Sequence, residues 1–227
     1  MPFSFPQPLY PIADADSTSD VVALADAILA GGARLLQLRV KSAPTGLFVA
    51  LAGAVKARTD RAGARLIVND RADVAQLVGA AGVHLGQDDL PPAAARAMLG
   101  ADAIIGFSTH DLAQVDAALH AGAIDYLAFD PIFATASKRD PDPVQGVARL
   151  AAVRARCPLP LVAIGGIGAR NLADVIAHGA DAVAVIGALA GAPDPARATA
   201  ALLAIARAAA AALDGGAFTA RRSRPRS

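Results

Sequence analysis

The 227-residue chain is 55% hydrophobic and 18% charged with a net charge of +1, which describes one globular domain with a substantial core and argues neither for nor against an anionic partner. No apolar run reaches the roughly 20 residues a bilayer span requires, and Met1 to Tyr10 has neither a basic nor an apolar leader region, so the expected location is cytoplasmic with no membrane partner. The single Cys157 cannot form an intramolecular disulfide and is expected to be a buried bystander, while 4% aromatics and no Trp predict a mainly aliphatic core.

In chain order, short β-rich runs alternate with longer alanine-rich amphipathic stretches. Strands are predicted at Leu9 to Ala13, Arg34 to Val40, Arg65 to Val68, Gly82 to Leu85, Ala103 to Phe107, Tyr126 to Phe129, Leu161 to Ile164 and Ala182 to Ile186. Helices are predicted at Ser19 to Ala30, Thr45 to Ala62, Ala72 to Val78, Pro91 to Met98, Asp111 to His120, Val144 to Ala155, Ala169 to His178 and Asp194 to Leu213. Eight βα units with short connections predict a single-domain (β/α)8 barrel over residues 1–213, with a doubly wound sheet as the rival. Gly32-Ala33, Gly63-Ala64, Ala81-Gly82, Gly122-Ala123 and Gly179-Ala180 read as helix C-caps. Residues 214–227 are expected to be a disordered basic tail, too short to imply a nucleic-acid partner.

In such a barrel the chemistry sits where the strands end and the βα loops emerge. Asn69-Asp70 follows the third strand and Gln87-Asp88-Asp89 the fourth. Neighbouring parallel strands lie about 4.8 Å apart, so these loops bring Asp70 and an Asp of the second loop together, a natural Mg2+ site. The competing reading is that Asp70, Asp88 or Asp89 simply caps a helix. On the second strand, period two puts Gln37, Arg39 and Lys41 on one face and Leu36, Leu38 and Val40 on the other. The cations are either paired with carboxylates or bound to an anion, and the anion is preferred. His84, alone inside its strand, reads as a hydrogen-bonded interior residue. Ser108 either caps the fifth helix or presents its hydroxyl to an anion. The long sixth loop carries Thr135, Ser137, Lys138 and Arg139, suited to phosphate oxygens. Gly165-Gly166 after strand seven and Ile186-Gly187 after strand eight stand where these barrels recurrently bind phosphate.

Taken together, QLRVK (Gln37 to Lys41), NDR (Asn69 to Arg71), HLGQDDLP (His84 to Pro91), GFSTH (Gly106 to His110), PIFATASK (Pro131 to Lys138), AIGGI (Ala163 to Ile167) and VIGAL (Val185 to Leu189) resemble the thiamine phosphate synthase family over nearly the whole barrel. The resemblance implies a Mg2+-dependent transferase that joins an aminopyrimidine methyl diphosphate to a thiazole phosphate, releasing diphosphate. It implies that Gln37, Arg39, Lys41, Asn69, Ser108 and Lys138 hold the pyrimidine diphosphate, with Arg39, Lys41, Ser108 and Lys138 serving catalysis. Asp70 and Asp89 would bind Mg2+, and Thr135, Ser137, Gly166, Ile186 and Gly187 would hold the thiazole phosphate. Asp88 is then expected to cap a helix. There are four departures: Val40 for a usual Glu, Ser137 for a usual Thr, Gly187 for a usual Ser, and Asp130 for a frequent Gly. Val40 points away from the ligand face and Ser137 keeps the hydroxyl; Gly187 and Asp130 bear on thiazole phosphate binding. The alternatives are a thiazole tautomerase-like isomerase, which needs neither the paired carboxylates nor the cations, and a non-catalytic barrel that binds a phosphorylated ligand. The expected partners are small-molecule substrates, and a homo-oligomer is compatible with the sequence.

Overall fold

The computed structural model describes residues 2–135 and 143–222, the stretch 214–222 by its backbone alone. Eight parallel strands, β1 (Leu9–Asp14), β2 (Leu35–Arg39), β3 (Arg65–Asn69), β4 (Gly82–Leu85), β5 (Ile104–Thr109), β6 (Tyr126–Phe129), β7 (Leu161–Ala163) and β8 (Ala182–Val185), close into a barrel in sequence order. Between and after them run α1 (Val21–Ala30), α2 (Thr45–Arg61), α3 (Ala72–Val78), α4 (Pro92–Leu99), α5 (Leu112–Ala121), α6 (Gly146–Arg154), α7 (Leu172–Ala177), a short α8 (Gly187–Ala190) and α9 (Pro195–Arg222). The fold is the expected (β/α)8 barrel, closed by the β1–β8 pairing. Two elements have no counterpart in the sequence reading: α8 and a 3-10 turn at Ala15–Ser17. The backbone of α9 continues past Leu213, where the sequence placed the helix end.

Period-two alternation sorts the strand residues into two cores. Leu36, Leu38, Leu66, Val68, Leu127 and Phe129 point outward into the layer under the helices. Leu35, Ile67, Ile104, Tyr126, Ala128 and Val162 point inward. The outer layer is aliphatic, as the composition predicts, but the floor of the barrel is aromatic: Phe3 and Phe5 pack on Tyr10 and Tyr126, with ring centroids 5.2–5.8 Å apart across the three direct contacts. Concentrating these rings inside the barrel explains how a chain poor in aromatics fills its centre. Cys157 is buried, and burial pushes its thiol pKa up. Within α9, Pro195–Leu213 is, among the described residues, the one stretch long and apolar enough to cross a bilayer by length and composition. Its alanines inflate that measure, and it packs on α1 and α7 with Leu202, Leu203 and Ala206 buried.

The expected glycine caps hold in part. Gly79, which no motif flagged, is the left-handed cap of α3, whereas Gly82 belongs to β4. A Cβ at Gly82 would lie 1.9 Å from the Ile104 carbonyl oxygen across the β4–β5 pairing, so no side chain fits there. Gly82→Ala is therefore expected to destabilise the barrel by about 3 kcal/mol, read as a lowered urea midpoint; an unchanged midpoint would show that β5 can yield.

Candidate active site

The carboxyl ends of the strands carry two adjoining pockets. One, of about 80 Å³, is lined by polar groups from five strands: Tyr10, Gln37, Arg39, Asn69, His84 and Ser108. The other, of about 330 Å³, is lined by Thr135, Gly165, Gly166, Ile186 and Gly187 from the last three loops. Asp130, Ile164, Ala184 and Ile186 border both. Inward alternation on β2 and β3 carries Gln37, Arg39 and Asn69 to the first pocket, while Val40 turns into the outer core, away from any ligand.

The cations at the mouth are neutralised. Arg39 donates to Asp14 at 2.8 Å, both from the paired positions of β1 and β2, and Lys41 Nζ lies 2.5 Å from Asp70 Oδ2. The carboxylate-paired reading of these cations thus holds in the structure as it stands. Asp14 was missed by the sequence reading; its signal was its position opposite Arg39 at the end of an inward-alternating strand, as Tyr10 also shows.

None of the three loop carboxylates caps a helix. The N-cap of α3 is Arg71 and that of α4 is Pro91, neither making a side-chain cap hydrogen bond; the capping role expected of Asp88 is therefore not found. Pro91 and Pro92 at the start of α4 supply fixed φ and lack amides that would need a cap. Asp89 Oδ2 instead accepts from the Gly86 amide at 2.7 Å within its own loop. Asp70 has a left-handed backbone, φ 64°, and its amide donates to the His84 carbonyl at 2.7 Å, which ties the third loop to β4. Non-glycine residues hold that conformation at a cost and cluster at functional sites. Burial pushes the Asp70 carboxyl up to about 6, against the pull of Lys41, and the adjacent Asp89 carboxyl adds to the rise. Two carboxylates crowded together, held by one ammonium and one loop amide, suit a hard divalent cation. Among the described residues no set of three or more His, Cys, Asp or Glu forms a metal cluster, so backbone, water or substrate oxygens would complete any coordination.

Ser108 does not cap α5, where Asp111 accepts from the Gln114 amide at 2.8 Å. Its hydroxyl faces His84 Nε2 at 3.0 Å, and His84 is, as expected, a hydrogen-bonded interior residue. At the second pocket, Gly165 and Gly166 have φ of 103° and 64° and abut Pro131, Phe133 and Ala134 so closely that a Cβ would approach within 2.7 and 2.4 Å. Glycine there lets the loop after β7 lie directly beneath the sixth loop, while Ile186 and Gly187 open α8 on the opposite wall. Asp130 is buried between the pockets, its Oδ1 3.4 Å from His110 Nδ1. Ser137, Lys138 and Arg139 lie outside the described residues.

A closed parallel barrel with two adjoining pockets at the carboxyl ends of its strands, one lined by polar side chains and one by glycines and aliphatic groups, defines a (β/α)8 protein of the enzyme type. Residues 9–189 match the family model for thiamine monophosphate synthase, and the chain belongs to that family. It is 48% identical over 178 residues to the thiamine-phosphate synthase of Anaeromyxobacter dehalogenans, covering 78% of this chain and 79% of the relative. It is 50% identical over 171 residues to that of Methanoculleus marisnigri, covering 75% and 81%. The thiamine phosphate pyrophosphorylase from Pyrococcus furiosus superposes with a TM-score of 0.80 at 34% identity, covering 88% of this chain and 96% of that one.

A raised Asp70 pKa makes its carboxylate a cost to folding: the cost is absent below about pH 4 and fully present above about pH 6. Asp70→Asn, whose side chain tolerates the left-handed backbone, is therefore expected to be more stable than the parent by about 2 kcal/mol at pH 8 in metal-free buffer. The gap should close as pH falls to 4. Urea unfolding at both pH values checks this, and a variant less stable at pH 8 would contradict it.

Proposed function

We propose that the chain is a thiamine phosphate synthase, coupling 4-amino-2-methyl-5-(diphosphooxymethyl)pyrimidine with thiazole phosphate. The observation that carries this reading is the pair of adjoining pockets: a tight polar one beside the loop carboxylates, and a larger glycine-walled one that shares a border with it. Two substrates that must meet need two compartments with a common wall.

In this reading the first pocket holds the pyrimidine through Gln37 and Asn69, with its diphosphate toward Arg39, Lys41 and Ser108. Lys138 joins them on the strength of the sequence resemblance. Thr135, Gly166, Ile186 and Gly187, with Ser137 by the same resemblance, hold the thiazole phosphate. Asp70 and Asp89 would hold Mg2+, which when bound supplies charge neutralisation for the leaving diphosphate. The bond from the pyrimidine methylene to the diphosphate oxygen breaks, the oxygen keeping the electron pair. Arg39 and Lys41 stabilise the charge that develops on it. The thiazole nitrogen then donates its pair to the resonance-stabilised methylene cation, and no covalent bond to the protein forms. Gly187 presents a backbone amide where a Ser hydroxyl is usual, so the thiazole phosphate relies more on main-chain donors. The cytoplasm as location belongs to the same proposal.

Incubating the purified chain with both substrates and Mg2+ is expected to yield thiamine phosphate and diphosphate, and chelation to stop the reaction. Asp70→Asn is expected to lower kcat at least about 100-fold. Isomerisation of the thiazole without coupling would identify a tautomerase instead, and binding without turnover a non-catalytic barrel.

A further inference from the structure

The floor of the first pocket contains a continuous chain of side-chain hydrogen bonds that the proposed function does not use. Gln37 Nε2 donates to the Tyr10 hydroxyl at 3.0 Å, which lies 3.0 Å from the Tyr126 hydroxyl. Tyr126 lies 2.9 Å from His84 Nδ1, and His84 Nε2 lies 3.0 Å from Ser108 Oγ. The chain crosses the barrel through β2, β1, β6, β4 and β5, and both its ends line the pocket. Gly106 makes the crossing feasible: a Cβ there would come within 2.0 Å of Tyr126 Cζ and 2.5 Å of His84 Nδ1.

A hydroxyl has one hydrogen and donates once. Among the described residues the Tyr10 hydroxyl meets two polar partners, and one of them, Gln37 Nε2, is a donor. Its own hydrogen therefore goes to Tyr126. Having accepted there, Tyr126 gives its hydrogen to His84 Nδ1. A ring nitrogen that accepts carries no proton, so the proton of the neutral imidazole is on Nε2 and is donated to Ser108 Oγ. The Ser108 hydrogen is then the one left for the pocket, and at the far end the Gln37 amide oxygen stays free of the chain. Burial pushes both tyrosine pKa values up, so both phenols keep their protons. Phe3 and Phe5 cover the pair from below.

We propose that Tyr10, Tyr126 and His84 are positioning residues forming a one-way hydrogen-bond chain that fixes Ser108 as a donor and the Gln37 amide oxygen as an acceptor toward the pocket's occupant. The pocket thereby selects a ligand with an N–H group at one end and an anionic oxygen at the other. Only the identification of that ligand as the pyrimidine diphosphate rests on the proposed function; the direction of the chain does not.

The test is long-range 1H–15N spectroscopy of protein labelled with 15N-histidine, without substrates and near neutral pH. The His84 signals are assigned by their loss in His84→Gln. The parent is expected to show the Nε2–H tautomer, and Tyr10→Phe, in which Tyr126 no longer accepts from Tyr10 and can accept from Nδ1 instead, is expected to weaken that preference. Tyr126→Phe keeps the ring that packs on Phe3 and Phe5 and is expected to lose the preference. An Nδ1–H tautomer in the parent overturns the proposal, as does a His84 spectrum unchanged by Tyr126→Phe. Kinetically, Tyr126→Phe should lower kcat/KM for the pyrimidine diphosphate about tenfold with KM for the thiazole phosphate unchanged. Equal losses for both substrates would mark general loosening and count against it. Should the parent show no coupling activity at all, the proposed function fails while the spectra still decide the direction of the chain.

Discussion

Everything at the mouth of this barrel follows from strand alternation inside a closed ring. Once β1 to β8 close in register, every second residue of each strand must point into a narrow interior, and the interior has room for few side chains. Its lower part takes Leu35, Ile67, Ile104 and the aromatic rings. Its upper part receives Gln37, Arg39, Asn69 and His84, which lie further along the same inward faces. The polar pocket is the continuation of the core by the same rule, with water and ligand replacing hydrophobic neighbours. A slip of one residue in any strand would turn these groups outward together.

The charges at the mouth are balanced in advance. Arg39 leans on Asp14 and Lys41 on Asp70, which keeps both cations from standing unpaired on a partly buried surface. In the proposed reaction Lys41 would serve the diphosphate by giving up Asp70, and Asp70, crowded by Asp89 and held in a left-handed backbone, is poorly satisfied by one exposed ammonium. Such an arrangement has little to lose when its partners are exchanged for a doubly charged cation and an anion of opposite sign. The stored cost at Asp70 is local, and the fold around it, anchored by the amide bond to the His84 carbonyl, makes it affordable.

The sequence made the barrel legible because eight apolar runs and eight amphipathic stretches have different periods, and because strands that are buried on both faces tolerate little else. Boundaries shifted where caps decided them: α1 begins after Asp20, whose carboxylate accepts from two amides, so the helix starts at Val21. The site was legible where residues sit on strand ends or adjacent loops, as with Gln37, Asn69 and Ser108. It was not legible where meaning comes from register. Asp14 became visible only once β1 lay beside β2, and Tyr10 and Tyr126, separated by 116 positions, meet only because the ring closes. Asp88 shows the converse: a plausible local role vanished because two prolines already open α4.

The aromatic floor explains why a polar network can exist so deep in the barrel. A hydrogen bond among buried groups is fixed in direction when no water can enter to supply an alternative partner. Phe3 and Phe5, from the segment before β1, close the barrel from beneath and lie against Tyr126. Their packing covers the tyrosine pair, and in the proposed chain the donor offered by Gln37 sets the direction of the bonds that follow as far as Ser108. In this chain a few rings at the bottom of the barrel therefore govern which hydrogen a serine at the top can offer, and the N-terminal segment belongs to the site although it lies at the opposite end of the strands.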